Sequence, residues 1–514
     1  MYKNNSSVIL LSISILILIA LTTIKPQFMS IYYSWIGSGD NLLTETILGN
    51  KSIVSKVIPL SIGLDLSYKS LSILYSIIIS FVSLVGLFLY GKVSKLNLAE
   101  ICVFLGFLYL LDSLLIYGSG MNYPLSIILV GSNTFGELGL AFSILSIASY
   151  RYNSAVGLVS LIAALLVHPA FGLMTASYIC LYFFLQKKYR YLIVPIFITI
   201  VVIAIHYENM SVGREYALAL DNIIGVHRRE ISLSDTKFLL IPFLLTLLAS
   251  NKKQFVIDWI FIAIFFLISI LYYNFLIEFF RYEVLAIMPS KGVNLGVSII
   301  IIKYYIDFIK NPDLNKVIAP LLLFVYLTAL PPLVNKLFFF FFSSFLLLSC
   351  FCVFNLKKYY QLAFVILFIS IVNIKLSYAT PTQRNYDNFF KLNYGRLLNL
   401  SGDPNIMVRN PGVVEVLPMG FMNAYIHNPR VLIQANKVFY KVFNKNIWDL
   451  DPQKHKCGCI SMNDVKDLSM NVTNPDLGIR IKYVLAPSQY DLNYEKAWVG
   501  DNGHGTSFTI YSVY

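Results

Sequence analysis

The chain has 514 residues, a mean hydropathy of +0.68, 57% hydrophobic residues and only 13% charged ones. Soluble domains carry about 25% charge, so this composition excludes an ordinary soluble enzyme and points to a polytopic membrane protein. The formal charge of +13 would suit a nucleic-acid binder, but the excess sits in short clusters between apolar runs, where it sets orientation in a bilayer instead.

The first apolar run, Val8 to Ile24, is long and lacks a small-residue cleavage site, so it reads as a retained span. Further runs fall at about 70–90, 99–117, 136–150, 154–168, 171–185, 191–206, 237–250, 255–276, 292–309, 317–330, 336–354 and 360–378. That predicts about 11–13 membrane helices, some short enough to be tilted or broken. Basic residues recur at alternate run ends. Lys3 precedes the first run; then come Lys92 and Lys95, Arg151, Lys187 with Lys188 and Arg190, Lys252 with Lys253, Lys303 with Lys310 and Lys316, and Lys357 with Lys358. The alternation predicts a cytoplasmic amino terminus and an extracytoplasmic carboxyl terminus.

The outer loops are then the long ones. Lys25 to Ser70 holds an aromatic cluster (Tyr32, Tyr33, Trp35), a glycine-flanked Asp40 and, five residues on, Glu45. A carboxylate there suits general-base work: it takes the proton from an acceptor hydroxyl as that oxygen attacks an anomeric carbon. A phosphate leaving group departs without a strong acid, so one carboxylate suffices. The plainer alternative is a solvated acid beside an interfacial aromatic belt.

"LLVHPAFG" breaks a long apolar stretch at Pro169 and Gly172 and puts His168 at the break. His168 can serve a substrate hydroxyl or phosphate, or cap a helix. Glu137 and Asp112 are further candidates for intramembrane polar contacts. The loop His206 to Lys237 carries Arg214, His227, Arg228 and Arg229. The loop "EFFRYEVLAIMPSKG" carries Arg281, Glu283 and Lys291. Paired arginine N–H donors suit phosphate; the alternatives are a solvated helix for the first loop and snorkelling side chains for the second.

The apolar runs stop near residue 378, and the last ~135 residues read as an extracytoplasmic α/β domain. "RNYDNFFKLNYGRLLNL" predicts an amphipathic helix. "NIMVRNPGVVEVLP", "RVLIQAN", "IRIKYVLAP" and "SFTIYSVY" predict a sheet of about four strands, with "DNGHG" as a turn. Of six cysteines, Cys102, Cys180, Cys350 and Cys352 lie in apolar runs and read as packing residues. Cys457 and Cys459 form a C-x-C, as thiols or a strained bridge. No nucleotide or metal motif occurs, so no cofactor is expected and no metal ion is indicated.

This plan resembles the GT-C superfamily of membrane glycosyltransferases: an acid on a long first outer loop, many spans, the broken "LVHPAFG" region and an outer carboxyl-terminal domain. The resemblance covers most of the chain in architecture and little of it in motif. The family often pairs two acids in the first loop, whereas here Asn41 follows Asp40. It implies an inverting transferase that moves a sugar from a polyprenyl-phosphate donor to a glycan or lipid-linked acceptor at the outer face, in the manner of O-antigen-modifying enzymes of the cell envelope. Asp40, with Glu45, would be catalytic; His168, Arg228, Arg229, Arg281, Glu283 and Lys291 would bind substrate or phosphate. Two rivals stand beside it: an O-antigen or polysaccharide polymerase, and a lipid-linked glycan transporter or flippase, which would show inverted repeats and mid-membrane charge.

Overall fold

A computed structural model describes residues 68–97, 100–101, 104, 135–152, 154–213, 239–271, 289–311, 313, 315–316, 384–401, 406, 410, 413–417, 429–449, 469–478, 480–501 and 506–514. The runs expected at 8–25, 317–330, 336–354 and 360–378, most of 99–117, and Cys457 and Cys459 lie outside the described residues.

Among the described residues, eight α-helices make the first portion: α1 (Tyr68–Val93), α2 (Phe135–Tyr152), α3 (Ser154–Val167), α4 (Pro169–Leu185), α5 (Ile193–Gly213), α6 (Leu240–Leu248), α7 (Val256–Leu271) and α8 (Ser290–Lys310). Each coincides with an expected apolar run. They are rich in Leu, Ile, Phe and Ala, and their hydroxyls bond their own backbone: Ser83 to Ile79 O, Thr175 to Phe171 O and Ser298 to Asn294 O, at 2.7–2.9 Å. These hydroxyls are thereby satisfied without water.

Glycines set the close approaches. A Cβ on Gly86 would sit 2.9 Å from the Leu145 backbone nitrogen, one on Gly172 would sit 2.5 Å from Leu165 Cα, and one on Gly292 would sit 2.3 Å from Phe265 Cγ. Gly296, one turn on, faces Ile262 at 2.5 Å. Small residues four apart let two backbones approach, and here they seat α7 against α8. Gly292→Val is therefore expected to cost about 1–3 kcal/mol by overpacking, read as a lowered unfolding midpoint of the detergent-solubilised protein; an unchanged midpoint would show the seat is not needed.

The bundle's outward faces are apolar. Ile193, Ile196, Phe197 and Ile200 of α5 and Val256, Ile264, Leu267 and Leu271 of α7 are exposed. By length and composition, two helical stretches among the described residues could cross a membrane: Lys252–Leu271, with mean hydropathy 2.4 and 33% buried, and Lys291–Lys310, with 1.5 and 89% buried. The first shows its surface to the surroundings; the second is the core of the bundle.

The tail is a mixed five-stranded sheet in the order β2-β1-β3-β5-β4, one strand more than expected. The strands are β1 (Gly395–Asn399), β2 (Val413–Glu415), β3 (Tyr483–Pro487), β4 (Glu495–Asp501) and β5 (Ser507–Ser512). β1 runs parallel to both β2 and β3, while β5 is antiparallel to β3 and β4. "RVLIQAN" is not a strand. It opens the helix α10 (Pro429–Phe443), which crosses from β2 to β3. Pro429 suits a first helical position, and Ala435, Phe439 and Val442 recur at helical spacing and are buried. The expected long helix at 384 shrinks to α9 (Asp387–Phe390), because Gly395, at φ +151°, turns the chain into β1. Tyr386 packs on Trp498 and Phe508, and Phe389 and Phe390 pack on Tyr483, closing one face of the sheet. α10 also touches α5, so the tail rests on the helical portion.

Candidate functional site

Two of the residues singled out in the sequence lie against one aromatic ring, that of Phe171. His168 is the only residue between α3 and α4, held extended at φ −145°, ψ 91°. It caps α4: its Nδ1 accepts a 3.5 Å hydrogen bond from the Phe171 N–H. That leaves Nε2 as the proton-bearing nitrogen of a neutral ring. The imidazole lies 5.0 Å from the Phe171 ring, and the Lys291 ammonium lies 5.5 Å from the same ring. Phe171 is buried, whereas His168 and Lys291 are half-buried. Gly139 of α2 completes the group, since a Cβ there would sit 2.6 Å from His168 Cβ. Ser143 Oγ donates to Phe171 O at 3.4 Å.

Three helices, α2, α4 and α8, therefore begin at one end of the bundle. Their aligned peptide dipoles make that end positive. An ammonium and an imidazole near those termini are groups that can bind an oxyanion, phosphate above all. The alternation of basic residues predicts the same end to be external.

The other end differs. Contacts run in antiparallel order along α7 and α8: Phe265 with Gly292, Ile262 with Gly296, and Asp258 with Lys303. Asp258, fully buried, takes the Lys303 ammonium at 2.7 and 2.9 Å. Tyr178 of α4 donates to the same carboxylate at 2.7 Å, and Gln254 O accepts from Lys303 at 3.1 Å. Nearer the helix ends, Asp307 pairs with Lys316 at 2.9 Å and accepts from the Ser250 N–H, also at 2.9 Å. Lys316 further donates to Ser250 Oγ at 2.7 Å and to Asn311 O at 3.0 Å. Sequence reading missed Asp258 and Asp307. The available signal was an acid inside an apolar run, "VIDWIF", with a lysine inside another, "IIIIKYY".

Asp40, Glu45, Arg228, Arg229, Arg281 and Glu283 lie outside the described residues, as do Asp112, Arg214 and His227. Glu137 is in α2, six residues before Ser143. Cys180 is a free, half-buried thiol, as a packing residue would be. Among the described residues no group of three or more His, Cys, Asp or Glu could hold a metal ion. No family model, curated protein or solved structure matches the chain.

Proposed function

We propose that the chain is a membrane glycosyltransferase of the GT-C type, transferring a sugar with inversion from a polyprenyl-phosphate donor to a glycan or lipid-linked acceptor outside a bacterial inner membrane. One observation carries the reading: a cation and an imidazole both lie against Phe171 where three helices begin, in a bundle whose α5 and α7 expose apolar side chains. A donor with a charged head and a long apolar tail needs that combination. In this mechanism the tail lies along the bundle surface and the phosphate rests on Lys291 and the α4 and α8 termini. His168 donates to a phosphate or sugar oxygen through Nε2. Asp40 takes the acceptor's proton, with Glu45 beside it. Arg228, Arg229 and Arg281 supply further donors to the phosphate, and Glu283 orients a cation among them.

The test is to give the purified protein a polyprenyl-monophosphate sugar or, separately, a diphosphate-linked repeat unit. Transfer from the first is expected; polymer formation from the second alone would favour the polymerase. Lys291→Met should raise KM for the monophosphate donor by about tenfold, the worth of one charge-assisted hydrogen bond, and change kcat less. Unchanged kinetics would remove Lys291 from the donor site.

The transporter reading has its own support. Asp258–Lys303 and Asp307–Lys316 are ion pairs inside the helical portion, and buried charge in a membrane bundle often marks a proton or substrate path. Uptake of a lipid-linked glycan into liposomes without covalent product would establish it.

A further inference from the structure

The strand register collects an unusual surface at one edge of the tail sheet, where β1 and β3 begin and β5 ends. There the Lys482 N–H donates to Arg396 O at 2.9 Å, and the Val513 N–H donates to Lys482 O at 3.0 Å. Three large side chains stand in the open at that edge: Leu392 at 82% exposed, Tyr394 at 63% and Tyr514 at 52%. Cations are interleaved with them. Lys391 precedes Leu392 and is exposed. The Lys482 ammonium donates to Tyr394 O at 3.1 Å, and the Arg480 guanidinium lies 4.4 Å from the Tyr514 ring centroid. Among the described residues the acids nearest in sequence or register include Asp476, four residues before Arg480, Glu495, which opens β4 opposite Ser512, and Asp491, paired with Lys496 at 2.9 Å.

We propose that this edge docks on the headgroup layer of a bilayer containing anionic lipid. The proposal rests on the reading of the helical portion as membrane-spanning. Tyrosines beside lysine and arginine, with a leucine at the tip, are what the interface selects: the rings sit among headgroups, the leucine enters the acyl boundary and the cations meet lipid phosphate. A hydrated anionic polymer would use the cations but gain nothing from Leu392. The tail is also held close, because α10 touches α5. The last turn of α10 is bonded to the segment that leads to Arg480: the Asn471 N–H donates to Val442 O at 2.7 Å and the Asn474 side chain to Lys441 O at 3.1 Å. Docked this way, the tail roofs the bilayer beside the bundle and keeps an acceptor near the donor's headgroup.

The experiment uses the full chain, with the six native cysteines replaced, in nanodiscs of phosphatidylcholine and phosphatidylglycerol. A fluorophore is placed at Leu392→Cys or, for the far end of β5, at Ser507→Cys, and nitroxide-labelled lipid is the quencher. Quenching is expected at 392 and not at 507. It should weaken in pure phosphatidylcholine and in the Lys391→Gln/Lys482→Gln variant, by roughly fivefold in the docked-to-undocked ratio for each cation removed. A chain that stays embedded after alkaline washing but shows no quenching at 392 overturns the docking while leaving the spanning reading intact. Equal quenching without anionic lipid overturns the headgroup assignment. Loss of the chain from the discs on washing overturns the spanning reading and the docking together.

Discussion

Asp40→Asn is expected to abolish sugar transfer, by roughly 10²–10⁴-fold in kcat, with expression and donor binding unchanged. The amide keeps the shape and loses the ability to take the acceptor's proton. Because the donor is held by cations and helix termini in this proposal, its Kd should not move. Single-turnover transfer of a radiolabelled sugar, measured alongside equilibrium binding of a polyprenyl phosphate, separates the two. A wild-type rate in the variant would return Asp40 to the role of a solvated loop acid. Glu45→Gln is the companion: a loss there with Asp40 dispensable would move the base by five residues and leave the rest standing.

The second large effect concerns Asp258. Removing one member of a buried pair strands the other charge, at a cost of about 3–5 kcal/mol. Lys303 is 11% exposed, so little solvent is at hand to relieve it. Asp258→Ala should therefore unfold far more readily in detergent than the parent. Asp258→Leu with Lys303→Met replaces both ions by apolar groups of similar size and should recover most of the loss, because the desolvation penalty disappears with the charges. Tyr178 then loses its acceptor, so recovery should be completed by Tyr178→Phe. The same variants divide the functional readings. A transferase with its chemistry at the His168 end keeps transfer activity in the double variant once folded. A transporter that moves charge through the bundle loses transport while remaining folded.

The helical portion was legible because its residues report their surroundings directly: a run of leucine, isoleucine and phenylalanine has few other places to be. Even the break at His168 was legible, because Pro169 forbids the hydrogen bond that would continue α3. What joined His168 to Lys291 was not. They are far apart in sequence; Gly139 and Gly172 let α2, α3 and α4 close up at that point, and α8 brings Lys291 over Phe171. The buried pairs were hidden for a related reason. Asp258 and Lys303 each look like a misplaced charge, and the contact that neutralises them depends on the antiparallel register of α7 and α8. In the tail, "RVLIQAN" has β-forming residues and still lies in a helix, because the helical recurrence emerges only when Phe439 and Val442 are read with it. β4 escaped because "EKAWVGD" is an edge strand with most side chains exposed, so it carries no inside–outside alternation.

The two notches on α8 have a mechanical meaning. Phe265 and Ile262 fit against Gly292 and Gly296 like teeth in a rack. If α7 ever slides along α8, it moves by whole turns, about 5.4 Å at a time, and each such step uncouples Lys303 from Asp258 outright. The two notches thus fit one register of α7 on α8, the register that also closes the Asp258–Lys303 pair.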